Sequence, residues 1–123
     1  MHIEILIKRA YEAAAREDGY RVLVDRLWPR GLTKQALPLN EWSKELAPST
    51  ELRKWFAHQP RRFVDFEKRY RKELSAPEQR ERMRELLKSA GSKTLTLIYG
   101  AKDVEHNHAL VLQAELKKLA GAA

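Results

Sequence analysis

Residues 20–25, YRVLVD, combine β-branched and apolar side chains and predict a buried β-strand, from which the fold can be worked out in both directions. Upstream, Ile3, Ile5 and Ile7 alternate with the neighbouring positions and predict a first strand. Downstream, Thr94–Tyr99 predicts a third strand of similar character. About 65 residues separate the second and third strands, more than a bare crossover between parallel strands needs. Several helices must therefore lie between them.

Helical periodicity predicts three helices in this central segment and a fourth after the third strand. Ser49 is a predicted N-cap of the first helix, while Pro77 suits the start of the third helix and Gly91 its end. The last helix is expected to run from about Val104 to Leu119. Apolar side chains that recur at spacings of three and four, and that we expect to be buried, belong to Leu52, Trp55, Phe56, Phe63, Phe66, Tyr70, Leu74, Met83, Leu86, Leu87 and Ala90.

The order of these elements predicts the fold class. Strand, strand, helices, strand and helix in succession favour an α/β fold, with a small three-stranded, mostly parallel sheet covered by about four or five helices. A chain of 123 residues matches the usual size of one domain, so we expect a single domain over residues 1–123.

Composition narrows the classes of function. The chain has no cysteine, which excludes a disulfide framework, thiol catalysis and Cys-based metal sites. The apolar run at the N-terminus is too short for a signal peptide, and no stretch approaches the roughly 18 apolar residues of a membrane span. We therefore expect a cytoplasmic protein without a membrane partner, and no motif in the sequence indicates a cofactor.

The basic character is concentrated in the middle of the chain. The net charge is +7, and residues 53–93 account for all of it because they hold thirteen Lys/Arg against six Asp/Glu. Such a block creates a positive potential that attracts phosphates. It is typical either of a solvated helical surface or of a nucleic-acid-binding module that uses the basic helices 53–93, and in the second case we expect weak, non-specific binding.

A second basic feature lies at the predicted strand ends. Arg26 and Arg30 follow the second strand, and Lys102 follows the third. Because parallel strands end at the same edge of a sheet, these side chains should meet there and form a basic anion-binding pocket for a small phosphorylated or carboxylated ligand. With 24 Lys/Arg in the chain, basic residues at these ends can also arise by chance.

Residues 102–108, KDVEHNH, carry the densest set of polar groups. Asp103 is most simply the N-cap of the last helix. His106 and His108 point about 200° apart on a regular helix, so they cannot share a metal ion, and no metal site is predicted. His108 should face inward, either as a satisfied core histidine or as a ligand donor or general acid/base. Asp25 could pair with Asp103 or be a structural partner of Arg26.

Three stretches carry a family resemblance. Residues 22–32, 46–56 and 105–109, together with the stretch 70–74, are similar to the YeaO-like family, domain of unknown function 488, over nearly the whole chain. The resemblance implies an α/β fold and no particular reaction. It also implies that positions matching the family's recurrent pattern are the ones to test for ligand binding, namely Arg26, Trp28, Arg30, Lys102, Asp103, Asn107 and His108.

Three interpretations of the function remain open at this point. The chain is an enzyme or sensor for a small anion, a nucleic-acid-binding module, or a structural protein in which neither basic feature matters. The candidate catalytic groups, should it be an enzyme, are His108, Asp103 and Asp25. The sequence does not indicate an oligomeric state.

Overall fold

The structure, a computed structural model that describes residues 3–121, has a sheet of four parallel strands. The strands are β1 (Ile5–Arg9), β2 (Tyr20–Leu23), β3 (Glu41–Trp42) and β4 (Leu95–Tyr99), in the spatial order β1-β4-β2-β3. All five residues of β4 are buried, as its position between two neighbours requires. The predicted α/β class is confirmed.

The predicted number of strands is wrong by one. The additional strand β3 has two residues, which pair with Val22 and Leu23 of β2. Two residues are too few for an alternating pattern, so no periodicity could reveal this strand. β1 continues beyond the predicted alternation of Ile3, Ile5 and Ile7, since Lys8 and Arg9 also belong to it and pair with Ile98 and Tyr99.

The helices are α1 (Thr50–Phe56), α2 (Phe63–Leu74), α3 (Pro77–Ala90) and α4 (His108–Gly121). Ser49 caps α1 as predicted, since its Oγ accepts a hydrogen bond from the Leu52 N–H at 3.1 Å. The predicted start of the last helix at Val104 is wrong, because α4 begins four residues later. No helix within residues 3–121 has the length and apolar character needed to cross a lipid bilayer.

The main core lies between the helices and one face of the sheet. Val22, Leu95 and Leu97 of the sheet are fully buried in a cluster that contains the buried side chains of all four helices. The hydroxyl of Tyr70 donates a hydrogen bond to the carbonyl of Leu46 at 2.6 Å, so the polar end of this buried ring has a partner. Trp55, Phe63 and Leu87 depart from the expected pattern, because each is only partly buried and packs against the edge of this core.

The opposite face of the sheet is covered by loops. Leu23 and Ile98 pack there against Leu37, with Trp28 and Trp42 in edge-to-face contact, their ring centroids 5.5 Å apart. All four helices therefore lie on one side of the sheet, and the loops after the strands remain free to form a site at its edge.

A buried ion cluster also lies on the loop-covered face. The Asp18 carboxylate contacts Lys8 Nζ at 3.1 Å and the Arg21 guanidinium, and it accepts a hydrogen bond from the Ala15 N–H. Burial alone would raise the pKa of Asp18, but the hydrogen bonds from Ala15, Lys8 and Arg21 hold its pKa below the usual 3.8.

Candidate functional site

A cavity of about 580 Å³ opens at the carboxyl ends of the strands. Its walls are the loops after β2 and β4, the N-terminus of α4 and the connection between α1 and α2. The structure brings all the candidate residues from the sequence around this one cavity: Asp25, Arg26, Trp28, Arg30, Lys102, Asp103, Asn107 and His108.

Asp25 and His108 form a pair on one wall of the cavity. His108 Nε2 lies 3.0 Å from Asp25 Oδ1 and 3.0 Å from the Val24 carbonyl oxygen. Both neighbours are acceptors, so we assign the imidazole proton to Nε2. The other oxygen, Asp25 Oδ2, accepts a hydrogen bond from the Gly100 N–H at 2.9 Å. A Cβ at Gly100 would lie only 3.0 Å from this oxygen, so a larger residue there would require the Asp25 side chain to shift by a few tenths of an ångström.

The structure shows neither of the two alternatives for Asp25, a pair with Asp103 or a structural partnership with Arg26. Asp25 holds His108 and the loop after β4, and the side chain of Arg26 bonds elsewhere. His108 is only partly enclosed, with 16% of its side chain exposed, and it contacts both the core ring of Tyr70 and the cavity. It is therefore a fixed histidine at the boundary between the core and the cavity.

The predicted N-cap of the last helix, Asp103, is wrong, because Asn107 caps α4. Asn107 Oδ1 accepts a hydrogen bond from the Leu110 N–H at 3.1 Å, so Asn107 caps the helix, and its Nδ2 donates to the Asp103 carbonyl. Asp103 instead organises a turn upstream, where its carboxylate accepts from the backbone N–H groups of Glu105 and His106. The Glu105 N–H in particular, and the nearby His106 ring, hold the pKa of Asp103 below the usual 3.8.

Two of the candidates, Arg26 and Trp28, use their side-chain donors in hydrogen bonds to backbone carbonyl oxygens of the protein. The Arg26 guanidinium donates to the carbonyl oxygens of Pro48 and Ala47, each at 3.2 Å, and so ties the loop after β2 to the start of α1. Trp28 Nε1 donates to the Leu32 carbonyl oxygen at 2.6 Å. Both residues line the cavity, but their main visible role is to hold its wall in place.

The remaining basic side chains around the cavity are free. Arg30 and Lys102 are exposed, and their side chains have no hydrogen-bond or ion-pair partner within residues 3–121. Arg53 of α1 is equally exposed and lines the same cavity. A charged group entering the cavity would therefore meet three cations without having to break an internal bond.

Arg53 and His58 are cavity residues that sequence reasoning missed. They belong to α1 and to the connection after it. The prediction from the sequence covered only residues directly after a strand, so it could not identify these two. Ala57 and His58 both adopt left-handed backbone angles, with φ of 48° and 56°. Such angles are unfavourable for residues with a Cβ, and here they bring the His58 side chain to the cavity.

The charge balance at the cavity is positive. Four Lys/Arg residues line it against two aspartates, and both aspartates already have internal partners. Within residues 3–121, no group of three or more His, Asp or Glu side chains could hold a metal ion. The basic side chains around the cavity are chemically suited to contact an oxyanion.

Comparison with known families places the chain. Residues 4–122 match the family described as the inactive DUF488-N3 subclade. The chain belongs to this family. The match spans all four strands and helices, so the whole fold described above is that of a member of the inactive DUF488-N3 subclade, and the YeaO-like resemblance is confirmed.

Curated relatives of this DUF488-N3 chain cover nearly its full length. The uncharacterized protein YeaO of Escherichia coli is 47% identical over 117 residues, which are 95% of this chain and 100% of that protein. The uncharacterized proteins Mb3100c of Mycobacterium bovis and Rv3073c of Mycobacterium tuberculosis are each 41% identical over 108 residues, 88% of this chain and 89% of theirs. No solved structure matches the chain.

Proposed function

We propose that this protein is a non-catalytic binding protein for a small phosphorylated or carboxylated ligand, which it holds in the cavity at the strand ends. The observation that carries the proposal is the set of free cations, Arg30, Arg53 and Lys102, around a cavity whose two aspartates each accept a hydrogen bond from the protein's own backbone. Arginine binds phosphate or carboxylate with two parallel hydrogen bonds, and lysine adds a compact charge, so the set suits an oxyanion.

Binding without turnover agrees with the groups in the cavity. The family description calls the subclade inactive. The Asp25–His108 pair resembles an acid/base pair, but His108 Nε2 already lies 3.0 Å from both the Val24 carbonyl oxygen and Asp25 Oδ1. We infer that the pair fixes the ends of β2 and β4 relative to α4 and so keeps the cavity in shape.

The alternative, weak nucleic-acid binding by the basic helices 53–93, has less support. Part of their positive charge has local partners, since Arg71 pairs with Glu67 and the Arg69 guanidinium lies 4.1 Å from the ring centre of Trp55. An arginine paired with a carboxylate presents less net charge to a phosphate backbone, and a stacked arginine keeps its charge but must leave the ring to reorient. The cavity, in contrast, has three free cations in its lining, Arg30, Arg53 and Lys102.

Calorimetric titration with inorganic phosphate, at constant ionic strength set by chloride, tests the proposal. We expect saturable binding by the wild type and a loss of about tenfold in affinity for Lys102→Gln, since a charge-assisted contact contributes about 1.5 kcal/mol or more. Lys88→Gln, which removes another exposed lysine, from α3, is the matched control and should bind as the wild type does.

Two results of the same titration would contradict the proposal. Phosphate binding that is unaffected by Lys102→Gln would contradict the proposed location of the site. Heat that chloride alone reproduces would contradict specific anion binding, because simple screening acts on every charge of the protein.

A further inference from the structure

The cavity is much larger than a simple oxyanion requires. Its volume is about 580 Å³, whereas one water molecule occupies roughly 30 Å³ in the liquid and a phosphate ion is only a few atoms larger. Cavities of about 300 to 1,000 Å³ are typical of sites for drug-sized molecules. An inorganic ion would therefore fill a small part of this space, and the remainder has room for another part of a larger ligand.

The walls indicate what that part is. Leu27 is 61% exposed and Tyr11 is 46% exposed, and both line the cavity. On the deeper side, the rings of Phe56 and Phe66 also line it, with their centroids 4.4 Å apart. Apolar side chains left open to water beside a cavity are stabilised when an apolar group covers them.

Several of these walls are aromatic rings. Tyr11, Phe56, Phe66 and His106 all line the cavity, and rings pair favourably with another ring in edge-to-face or offset-stacked geometry. The free cations Arg30, Arg53 and Lys102 lie around the same space. A flat apolar body with one anionic group satisfies both kinds of wall at once.

We propose that the ligand of this cavity is an aromatic anion, that is, a ring system carrying a phosphate or a carboxylate group. This inference rests on the proposed function, because it assigns the class of ligand for the same site. The anionic group contacts the free cations, while the ring covers Leu27 and Tyr11 and reaches toward Phe56.

Calorimetric titration with pairs of probes tests the class. Phenyl phosphate should bind at least about tenfold more tightly than methyl phosphate, which has the same charge but five fewer carbons to bury. The pair benzoate and acetate repeats the comparison with a carboxylate and tells which of the two anions the cations prefer.

Leu27→Ser locates the ring. We expect it to reduce the affinity for phenyl phosphate severalfold and to leave that for methyl phosphate unchanged. Leu27 is exposed, so the variant should fold. Val64→Ser is the matched control, because Val64 is 64% exposed on α2 and lies outside the cavity lining. It should change neither affinity.

Each outcome bears on the inference in a distinct way. Equal affinities for phenyl and methyl phosphate would overturn the aromatic class and leave anion binding intact. Binding of neither phosphate beyond the chloride control would overturn the inference together with the proposed function. Benzyl alcohol binding as tightly as phenyl phosphate would overturn the anionic part.

Discussion

Replacing Asp18 by Asn tests the ion cluster that supports the sheet from its loop-covered face. Asp18 is nearly buried, and its carboxylate is shared by Lys8 Nζ, the Arg21 guanidinium and the Ala15 N–H. Asparagine keeps the size of the side chain and one acceptor oxygen. It removes the negative charge, however, and so leaves two cations with no acid to balance them.

The size of the effect follows from how deeply the partners are buried. The Arg21 side chain is 8% exposed and that of Lys8 is 19% exposed. Without the Asp18 carboxylate, water can therefore hydrate the charge of Lys8 in part and that of Arg21 hardly at all. Breaking a buried ion pair by removing one partner costs about 3–5 kcal/mol. Arg21 retains a hydrogen bond to the Pro38 carbonyl, which places the expected loss near the lower end, at about 3 kcal/mol at pH 7.

The same cluster makes the effect depend on pH. The pKa of Asp18 in the folded protein lies below the usual 3.8, so the charged carboxylate stabilises the fold fully above that value. This contribution is lost as the pH falls below 3.8 through the lowered pKa. The difference in unfolding free energy between wild type and Asp18→Asn should therefore be constant around neutral pH and shrink in acid.

Urea unfolding of both proteins at pH 7 and at a series of pH values below 4 measures this difference. Glu17→Gln is the matched control, since Glu17 is the exposed neighbour in the same short turn and should change stability by less than about 0.5 kcal/mol. A difference at pH 7 no larger than that of the control, or one that stays constant into acid, would refute the reasoning.

Two further predictions concern the backbone, and urea unfolding measures both. Gly19→Ala should destabilise the fold by more than about 2 kcal/mol, because Gly19 has a φ of 65° and a Cβ there would lie 2.2 Å from the Thr94 carbonyl oxygen; a neutral result would mean that this turn is free to move. Ala57→Gly should stabilise the protein by about 0.5–1 kcal/mol by relieving the left-handed angle at the end of α1; a loss of stability would contradict the strain at this position.

The sequence predicted those elements whose pattern extends over several residues. The stripe Phe66, Tyr70 and Leu74 is buried on α2 as expected, because spacings of three and four bring these side chains to one helix face. Trp55 lies at the margin of such a stripe. It packs under the guanidinium of Arg69 rather than in the core, which depends on how α1 and α2 meet and is not encoded in the period of either helix.

The start of α4 shows a different limit. Asp103 and Asn107 are both good N-caps, and either is compatible with the apolar spacing of the helix. The choice follows from a tertiary contact, since His108 must reach Asp25 and Val24 at the end of β2. The local sequence around a helix start cannot predict a contact with a strand that lies more than eighty residues earlier in the chain.

The lining of the cavity shows what can and what cannot be predicted from the rule that residues after parallel strands meet at one edge of the sheet. Parallel strands must end at the same edge, so residues after β2 and β4 were expected together and do line one cavity. The rule says nothing about which cations are free. Arg26 bonds to backbone carbonyls, while the free cation Arg53 comes from the basic segment 53–93.

This last position links the two functional interpretations that the sequence kept apart. Arg53 belongs both to the cavity and to the basic segment, so a change there cannot distinguish anion binding in the cavity from phosphate binding by the helices. Lys102 lines the cavity and lies outside that segment, whereas Lys72 is exposed on α2 and lies outside the cavity lining. Because each variant removes one charge from one surface only, it is the contrast between Lys102→Gln and Lys72→Gln that assigns any observed phosphate affinity to the cavity or to the helices.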